Sequence, residues 1–395
     1  MRSVKSLLFS AAALLLCINS IASSYSLGIF SQSKTVQEII DNEKKVGYKF
    51  PVVAFVLDDY MLQGSLVVRN IANKLGTGRI YHITLSPENL SASQVARSGF
   101  DEQYLAFFKD VKKYKLKVLF RTMHEMNGGR YSRSGDPENF KKARKNIHEL
   151  SRQAGLDETQ IQFIFSFNRH DMPVAGGKKP SQTASYITCT PEKKASIGCL
   201  TREDYYPGKE YVDIIGFTAY NWGKATSNRR RLTMEQTIHD PSRDNWSRVL
   251  KMKKPLYIDE VGTTAIKYGE MFDRSKSQDM YGRSTIPKSE RLMDLSHLVK
   301  DMPQIIGMNY FNVDYTNGLR HHLLGEADWK IIDPEKGMMY PGGRDLIKNN
   351  DPLTIEMVFS HKQQVVASKT NKSTSKKLAK RARQIQPTQN HLSAQ

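Results

Sequence analysis

The 395-residue chain carries 59 Lys and Arg against 40 Asp and Glu, a formal charge of +19. Without a short leader, that length holds one sizeable domain or two small ones. Three cysteines, one of them in the leader, are too few for a cysteine-ligated zinc site, and the charge alone does not choose among nucleic acid, a membrane surface and an anionic glycan.

Arg2 and Lys5 precede an apolar run, Leu7–Ile21, and Ser20-Ile21-Ala22 offers small residues before a cut. Residues 1–22 therefore read as a signal peptide. The run is short for a membrane span and polar sequence follows it. The protein is expected to meet a membrane only in transit and to be secreted or periplasmic. Export implies an oxidising compartment. Cys189 and Cys199 flank a polar loop, TPEKKASIG, and are expected to form a disulfide there. Closing so small a loop would stabilise by about 3 kcal/mol on the chain-entropy model.

Eight strands are predicted in order: Ser26–Phe30, Val52–Leu57, Ile80–Leu85, Val118–Met123, Gln162–Phe167, Val212–Thr218, Leu256–Ile258 and Ile305–Phe311. Helical patterns fall between them at Val36–Val46, Leu66–Lys74, Asp101–Tyr114, Pro137–Ala154, Trp246–Lys251 and Ser289–Lys300. Such alternation predicts a parallel sheet with right-handed crossovers, here a single (β/α)8 TIM barrel over residues 23–358. Asp171–Tyr205, Gly223–Pro241 and Ala265–Pro287 read as long rim loops. Residues 359–395 hold Lys and Arg and, from His361, no acidic residue, and read as a basic disordered tail. The tail either adheres to an anionic surface or only solubilises the protein. A monomer is expected, with no specific nucleic-acid partner.

Polar residues collect just after the strands, where barrels keep their sites. The fourth strand runs into Arg121, His124, Glu125, Asn127 and Gly128-Gly129, and the seventh into Asp259-Glu260 and Gly262. Two glutamates at the ends of different strands are the minimum for glycoside hydrolysis. Glu125 suits the acid/base and Glu260 the nucleophile. Arg121 would keep a nearby carboxylate ionised, and Tyr220, ending the sixth strand, could donate a hydrogen bond to Glu260. The bland reading is strand ends with solvated charges. Asn168 and Arg169-His170 follow the fifth strand and either line the cleft or cap a turn. Phe167, Tyr310 and Phe311 are platforms or core. His124-Glu125 begins like a zinc-protease motif, but Gly128 stands where the second histidine should be. His321, His322 and His361 lack ligand spacing. There is no phosphate loop or dinucleotide fingerprint, and no metal or organic cofactor is expected.

Several blocks, in order, resemble glycoside hydrolase family 26. They are Arg121-x-x-His124-Glu125-Met126-Asn127-Gly128, Tyr205-Tyr206-Pro207-Gly208 with Val212-Asp213-Ile214-Ile215-Gly216, Tyr220-Asn221, Glu260-x-Gly262, Phe311-Asn312 and Asp328-Trp329. The resemblance covers about Ser26 to Ile332. That family consists largely of β-mannanases in the (β/α)8 clan of retaining glycosidases. The resemblance implies Glu125 as acid/base and Glu260 as nucleophile, with Arg121, His124, Tyr220 and Trp222 around the sugar. Asn127, Asn168 and Asn312 are further candidate contacts. The family usually carries tryptophans near positions 130 and 133, where this chain has Arg130 and Arg133 around Tyr131. Arginine pairs with carboxylate or phosphate instead of stacking on a neutral ring. The substrate is thus expected to be a β-glycan, neutral or acidic. The competing readings are a drifted site with solvent-facing arginines and a non-catalytic polysaccharide-binding barrel of a surface-assembly system.

Overall fold

The computed structural model describes residues 25–31, 35–57, 64–128, 131–169, 171, 200–221, 233–239, 244–264, 288–313, 329–332 and 338–360. The leader, the cysteine pair, most of the long rim loops and residues 361–395 lie outside the described residues, while Phe359, expected to open the disordered tail, is buried in the fold because it is an apolar side chain packed inside the barrel.

Eight parallel strands close into a barrel in sequence order. They are β1 (Ser26–Ser31), β2 (Val52–Leu57), β3 (Ile80–Leu85), β4 (Lys117–Arg121), β5 (Ile161–Asn168), β6 (Ile214–Asn221), β7 (Leu256–Thr263) and β8 (Ile305–Asn312). Pairing of Ser26 with Gly307 through Ser31 with Asn312 seals the ring. The helices are α1 (Val36–Val46), α2 (Gly64–Leu75), α3 (Ala92–Ala96), α4 (Asp101–Lys113), α5 (Pro137–Gln153), α6 (Met234–His239), α7 (Asn245–Lys251), α8 (Lys288–Lys300), α9 (Pro341–Lys348) and α10 (Pro352–Glu356). Among the described residues no helix is long and apolar enough to cross a membrane.

Helix ends follow local chemistry. Thr35 caps α1 through the Glu38 amide, and Gly47 closes it at φ 66. Asp136 caps α5 with Pro137 in its first turn. The strands are buried on both faces and so read as near-continuous apolar runs. Their outward residues meet the helices. Phe107 and Phe108 of α4 pack with Phe120 of β4, and Phe120 meets Phe163 of β5, at ring separations of 5.1–5.6 Å. Burying each such ring stabilises by roughly 1.5–3 kcal/mol.

Inside the barrel, Val52, Ile80, Leu119, Ile164, Ile214 and Tyr257 pack against Ile355, Val358 and Phe359. The last three belong to α10 and the turn after it, so the C-terminal segment plugs the N-terminal end of the barrel. Hydrogen bonds fix the plug: Asp351 N–H donates to the Tyr25 carbonyl (2.9 Å), Leu27 N–H to Asn350 Oδ1 (2.6 Å) and Ile355 N–H to Ser26 Oγ (3.1 Å). The opposite end carries the polar strand termini.

The expected strands are all present, β2 and β3 with the expected bounds and the others with shifted ends. The sixth begins at Ile214 rather than Val212, and the seventh continues past Ile258 through Asp259 and Glu260. In β7 the register slips by one residue against both neighbours: Phe217 faces Ile258 but Thr218 faces Glu260, and Met308 faces Ile258 while Tyr310 faces Val261. Asp259 is the extra residue of this β-bulge. The bulge lets two successive acids point into the barrel, where regular alternation would turn one outward. Four short helices were not expected: α3, α6, α9 and α10. α6 lies within what reads as a rim loop over Gly223–Pro241. Helices of so few turns show too little periodicity to be read.

Candidate active site

After β4 the chain makes a compact turn, Thr122–Gly128, with Met123 and Glu125 in the left-handed region at φ 50 and 53. Such residues cost roughly 1–3 kcal/mol each and persist only where their surroundings hold them. Here Met123 and Met126 are buried anchors. The Glu125 N–H donates to the Ser166 carbonyl (3.1 Å) and the Gly128 N–H to the Glu125 carbonyl (2.9 Å). From α5, Arg144 donates to the carbonyls of Thr122 (3.4 Å) and Ile164 (3.0 Å). From α4, Tyr104 is 2.6 Å from the Thr122 hydroxyl. The turn thereby holds Glu125 on the rim, where its Oε1 accepts from Thr218 Oγ1 at 2.5 Å.

Thr218 is the register partner of Glu260 on β7. The two glutamates therefore share the rim, one strand spacing and one hydrogen bond apart. Glu260 accepts from Arg121 on Oε1 and from Tyr220 on Oε2. Arg121 is fully buried and also donates to Ser166 Oγ (2.9 Å) and Thr84 Oγ1 (3.4 Å). Burial pushes the Glu260 carboxyl up. Attraction to Arg121 and the bonds from Tyr220 and Arg121 outweigh it, with His82 adding to them, and hold the pKa below the ordinary carboxylate value. Burial likewise opposes the Arg121 charge, but Glu260, Asp259 and Glu125 together raise its pKa above the ordinary guanidinium value. Arg121 and Tyr220 thus make the contacts to Glu260 that the sequence suggested.

Behind Glu260, the bulged Asp259 pairs with His82 of β3 (Nε2 to Oδ1, 2.8 Å), both buried. Among the described residues Asp259 Oδ2 has no hydrogen-bond partner. The His82 ring stacks on Tyr257, whose hydroxyl donates to Asn309 Oδ1 (2.8 Å). A Cβ at Gly216 would fall 2.0 Å from Asp259 Oδ2, so only glycine leaves room for this carboxylate.

Tyr220 is itself seated by aromatics. Phe311 meets it edge-on at 5.3 Å and Trp329 tilts against it at 5.1 Å. Gly262 explains the third residue of Glu-x-Gly: a Cβ there would lie 2.9 Å from the Trp329 ring.

The remaining candidates divide. His124 is buried, its Nε2 3.2 Å from the Tyr131 hydroxyl. Asn127 is a buried bracket rather than a ligand contact: Nδ2 donates to the Asn168 carbonyl and to Asp171 Oδ1, both at 2.7 Å, and Oδ1 accepts from Asn168 N–H at 2.8 Å. Asn168 ends β5 half-buried, its Cβ side toward Gly128. Asn312 uses its Oδ1 to hold the Ile331 amide (2.9 Å) and so anchors the segment carrying Trp329. Phe167 and Tyr310 are core, and Arg169 turns to the Thr237 carbonyl. Arg133 corrects the expectation of a charge-reading side chain. It is fully buried, its Nε donating to the His124 carbonyl (2.9 Å), with its guanidinium over the Tyr131 ring at 3.7 Å. Burial lowers its pKa to about 10, so it stays charged at neutral pH. Arg130, Trp222, Cys189 and Cys199 lie outside the described residues.

The sequence reading missed Thr84, Ser166, Thr218 and the His82–Asp259 pair. A signal existed for most of them. His82 and Thr84 alternate within an apolar strand, and Ser166 and Thr218 lie two residues before Asn168 and Tyr220, on the same face.

A clasp braces the site from behind. Asp171 Oδ2 pairs with Arg202 NH2 (3.2 Å) and Arg248 NH2 (2.7 Å), all three buried, and its Oδ1 accepts from Asn127 and the Arg202 amide (2.9 Å). The clasp joins Asp171, Arg202 and Arg248 to Asn127 of the Thr122–Gly128 turn. Among the described residues no group of three or more His, Cys, Asp or Glu is placed to hold a metal ion.

No family model matches the sequence. Endoglucanase H of Acetivibrio thermocellus is 26% identical over 157 residues, which is 38% of this chain and 15% of that protein's length. Solved structures similar to this chain include a GH26 β-mannanase from Bacteroides ovatus (13% identity, 84% of this chain and 89% of that one, TM-score 0.48). GH26A from Muricauda sp. is 15% identical over 75% of this chain and 87% of that one, with TM-score 0.46. The Podospora anserina GH26-CBM35 β-(1,4)-mannanase is 16% identical over 89% and 68%, with TM-score 0.45.

Proposed function

We propose that this protein is an exported glycoside hydrolase of the mannanase-like family 26 type, cleaving internal β-linkages of a polysaccharide with retention of configuration. One observation carries the reading: Arg121 and Tyr220 hold Glu260 ionised on the same rim as Glu125, and Thr218 ties the two positions together. An ionised carboxylate fixed by a cation and a phenol is poised to attack an anomeric carbon. Glu125, on its strained turn, is the group to protonate the leaving oxygen. After the covalent glycosyl-enzyme forms on Glu260, Glu125 takes a proton from the incoming water and the enzyme is restored.

The leader-like residues 1–22 support export to the periplasm or beyond. The argument for an acidic substrate is weaker with Arg133 buried. Arg130 and the charge of +19 still support it, and a neutral β-glycan fits equally.

The mature protein is incubated with neutral and acidic β-glycans and new reducing ends are followed, with Glu260→Ala as control. Release that vanishes in the variant, with the product first appearing as the β-anomer by NMR, is the expected result. First appearance of the α-anomer would overturn the double displacement. No release from any glycan, with equal binding by both proteins, would replace this reading with the binding barrel.

A further inference from the structure

We infer that Arg133 is a positioning residue that fixes His124 as its Nε2–H tautomer, and so sets the direction of the hydrogen bond between His124 and Tyr131. The inference rests on reading the rim as a glycosidase site.

The argument starts from what a guanidinium can do. It has five N–H donors and no acceptor. Arg133 NH2 faces His124 Nδ1 at 3.4 Å, within a fully buried contact. A proton on Nδ1 would set donor against donor, so Nδ1 presents its lone pair and the ring proton sits on Nε2. Nε2 is 3.2 Å from the Tyr131 oxygen. The imidazole therefore donates and the phenol oxygen accepts. The Tyr131 O–H is then directed away from the imidazole. With a proton on Nδ1 the polarity would reverse, and Tyr131 would spend its proton on His124.

Arg133 also steadies the peptide leading into Glu125. Its Nε holds the His124 carbonyl at 2.9 Å, and the Ser166 carbonyl holds the Glu125 N–H at 3.1 Å. One peptide plane is thus gripped at both edges, immediately before the left-handed Glu125. The guanidinium lies 3.7 Å over the Tyr131 ring, whose plane makes 64° with His124. The cation therefore touches the backbone, the imidazole and the phenol of one unit. Its NH1 is buried without a hydrogen-bond partner among the described residues, so the group is kept at some cost in stability.

The test is the protonation pattern of His124 by 15N NMR of the full chain labelled at histidine, assigned with His124→Asn. The wild type is expected to show a bare Nδ1 and a protonated Nε2. In Arg133→Met the proton should redistribute between the nitrogens, and kcat/KM on the best glycan should fall roughly tenfold or more through misplacement at the reacting centre. Arg133→Lys, which also offers only donors, should keep the tautomer and recover most of the rate. A proton on Nδ1 in the wild type overturns the inference even if Arg133→Met does not fold. An unchanged pattern in folded Arg133→Met overturns it as well. The pattern is read without substrate, so failure of the glycosidase reading is distinguishable from failure of this one.

Discussion

Replacing Tyr220 with phenylalanine isolates one of the two bonds that hold Glu260 ionised. The ring should stay in place, because Phe311 and Trp329 flank it at 5.3 and 5.1 Å. What is lost is the hydroxyl donating to Glu260 Oε2. A hydrogen bond to a charged acceptor contributes about 1.5–3 kcal/mol. One pKa unit corresponds to about 1.4 kcal/mol, so the Glu260 pKa should rise by about 1–2 units, with Arg121 still opposing it. The acid limb of kcat/KM against pH reports this ionisation in the free enzyme. That limb should move to higher pH by about the same amount, and the alkaline limb should not move with it. Stability gives a second readout. Glu260 is depressed in the folded protein, so its contribution is complete above the unfolded value of about 4.3 and is lost as pH falls through the folded value. The Tm gap between wild type and Tyr220→Phe should therefore be widest near neutrality and close in acid. An acid limb that stays put in a folded variant would refute this account of how Glu260 is held.

Two further substitutions probe the supports. Gly262→Ala would place a methyl 2.9 Å from the Trp329 ring. It should cost about 1–3 kcal/mol of stability by overpacking and lower kcat by displacing Tyr220, so denaturant midpoints and turnover at wild-type values would count against the role given to Gly262. Asp171→Asn leaves Arg202 and Arg248 buried without their shared carboxylate. Urea unfolding should show a loss of about 3–5 kcal/mol, and an unchanged midpoint would mean the clasp does not brace the fold.

The barrel was legible because each strand is buried on both faces, which writes it as an apolar run between helical periods. Ile80–Leu85 and Val52–Leu57 could be bounded to the residue for that reason. Arg121, Tyr220 and the two glutamates were legible as one group because polar residues at the ends of successive apolar strands converge on one rim of a barrel. The bulge was not legible. Asp259-Glu260 looks like the end of a strand, and only pairing with β6 and β8 shows that the ladder continues past an extra residue. Arg133 misled for a related reason: the sequence gives a side chain's chemistry but not its direction, and this guanidinium points inward to His124. Asn127 and Asn312 were found as site residues, but Asn127 brackets Asn168 and Asp171 and the Asn312 Oδ1 holds the Ile331 amide.

The bulge in β7 makes Asp259 an insertion in the reading frame of the strand. Ile258 and Val261 face the helices, and Glu260 faces the barrel with its partner Thr218. Excising Asp259 alone would restore plain alternation while leaving Glu260 on its present face, and would strand His82. Removing Glu260 instead would also restore alternation but would leave Asp259 in place of the glutamate, and removing Ile258 would turn an acid to the helix side. Glu260 and the buried acid beside it are therefore separable by one deletion. A lineage could have gained or lost the His82–Asp259 pair by a three-nucleotide event, without passing through a barrel that lacks Glu260.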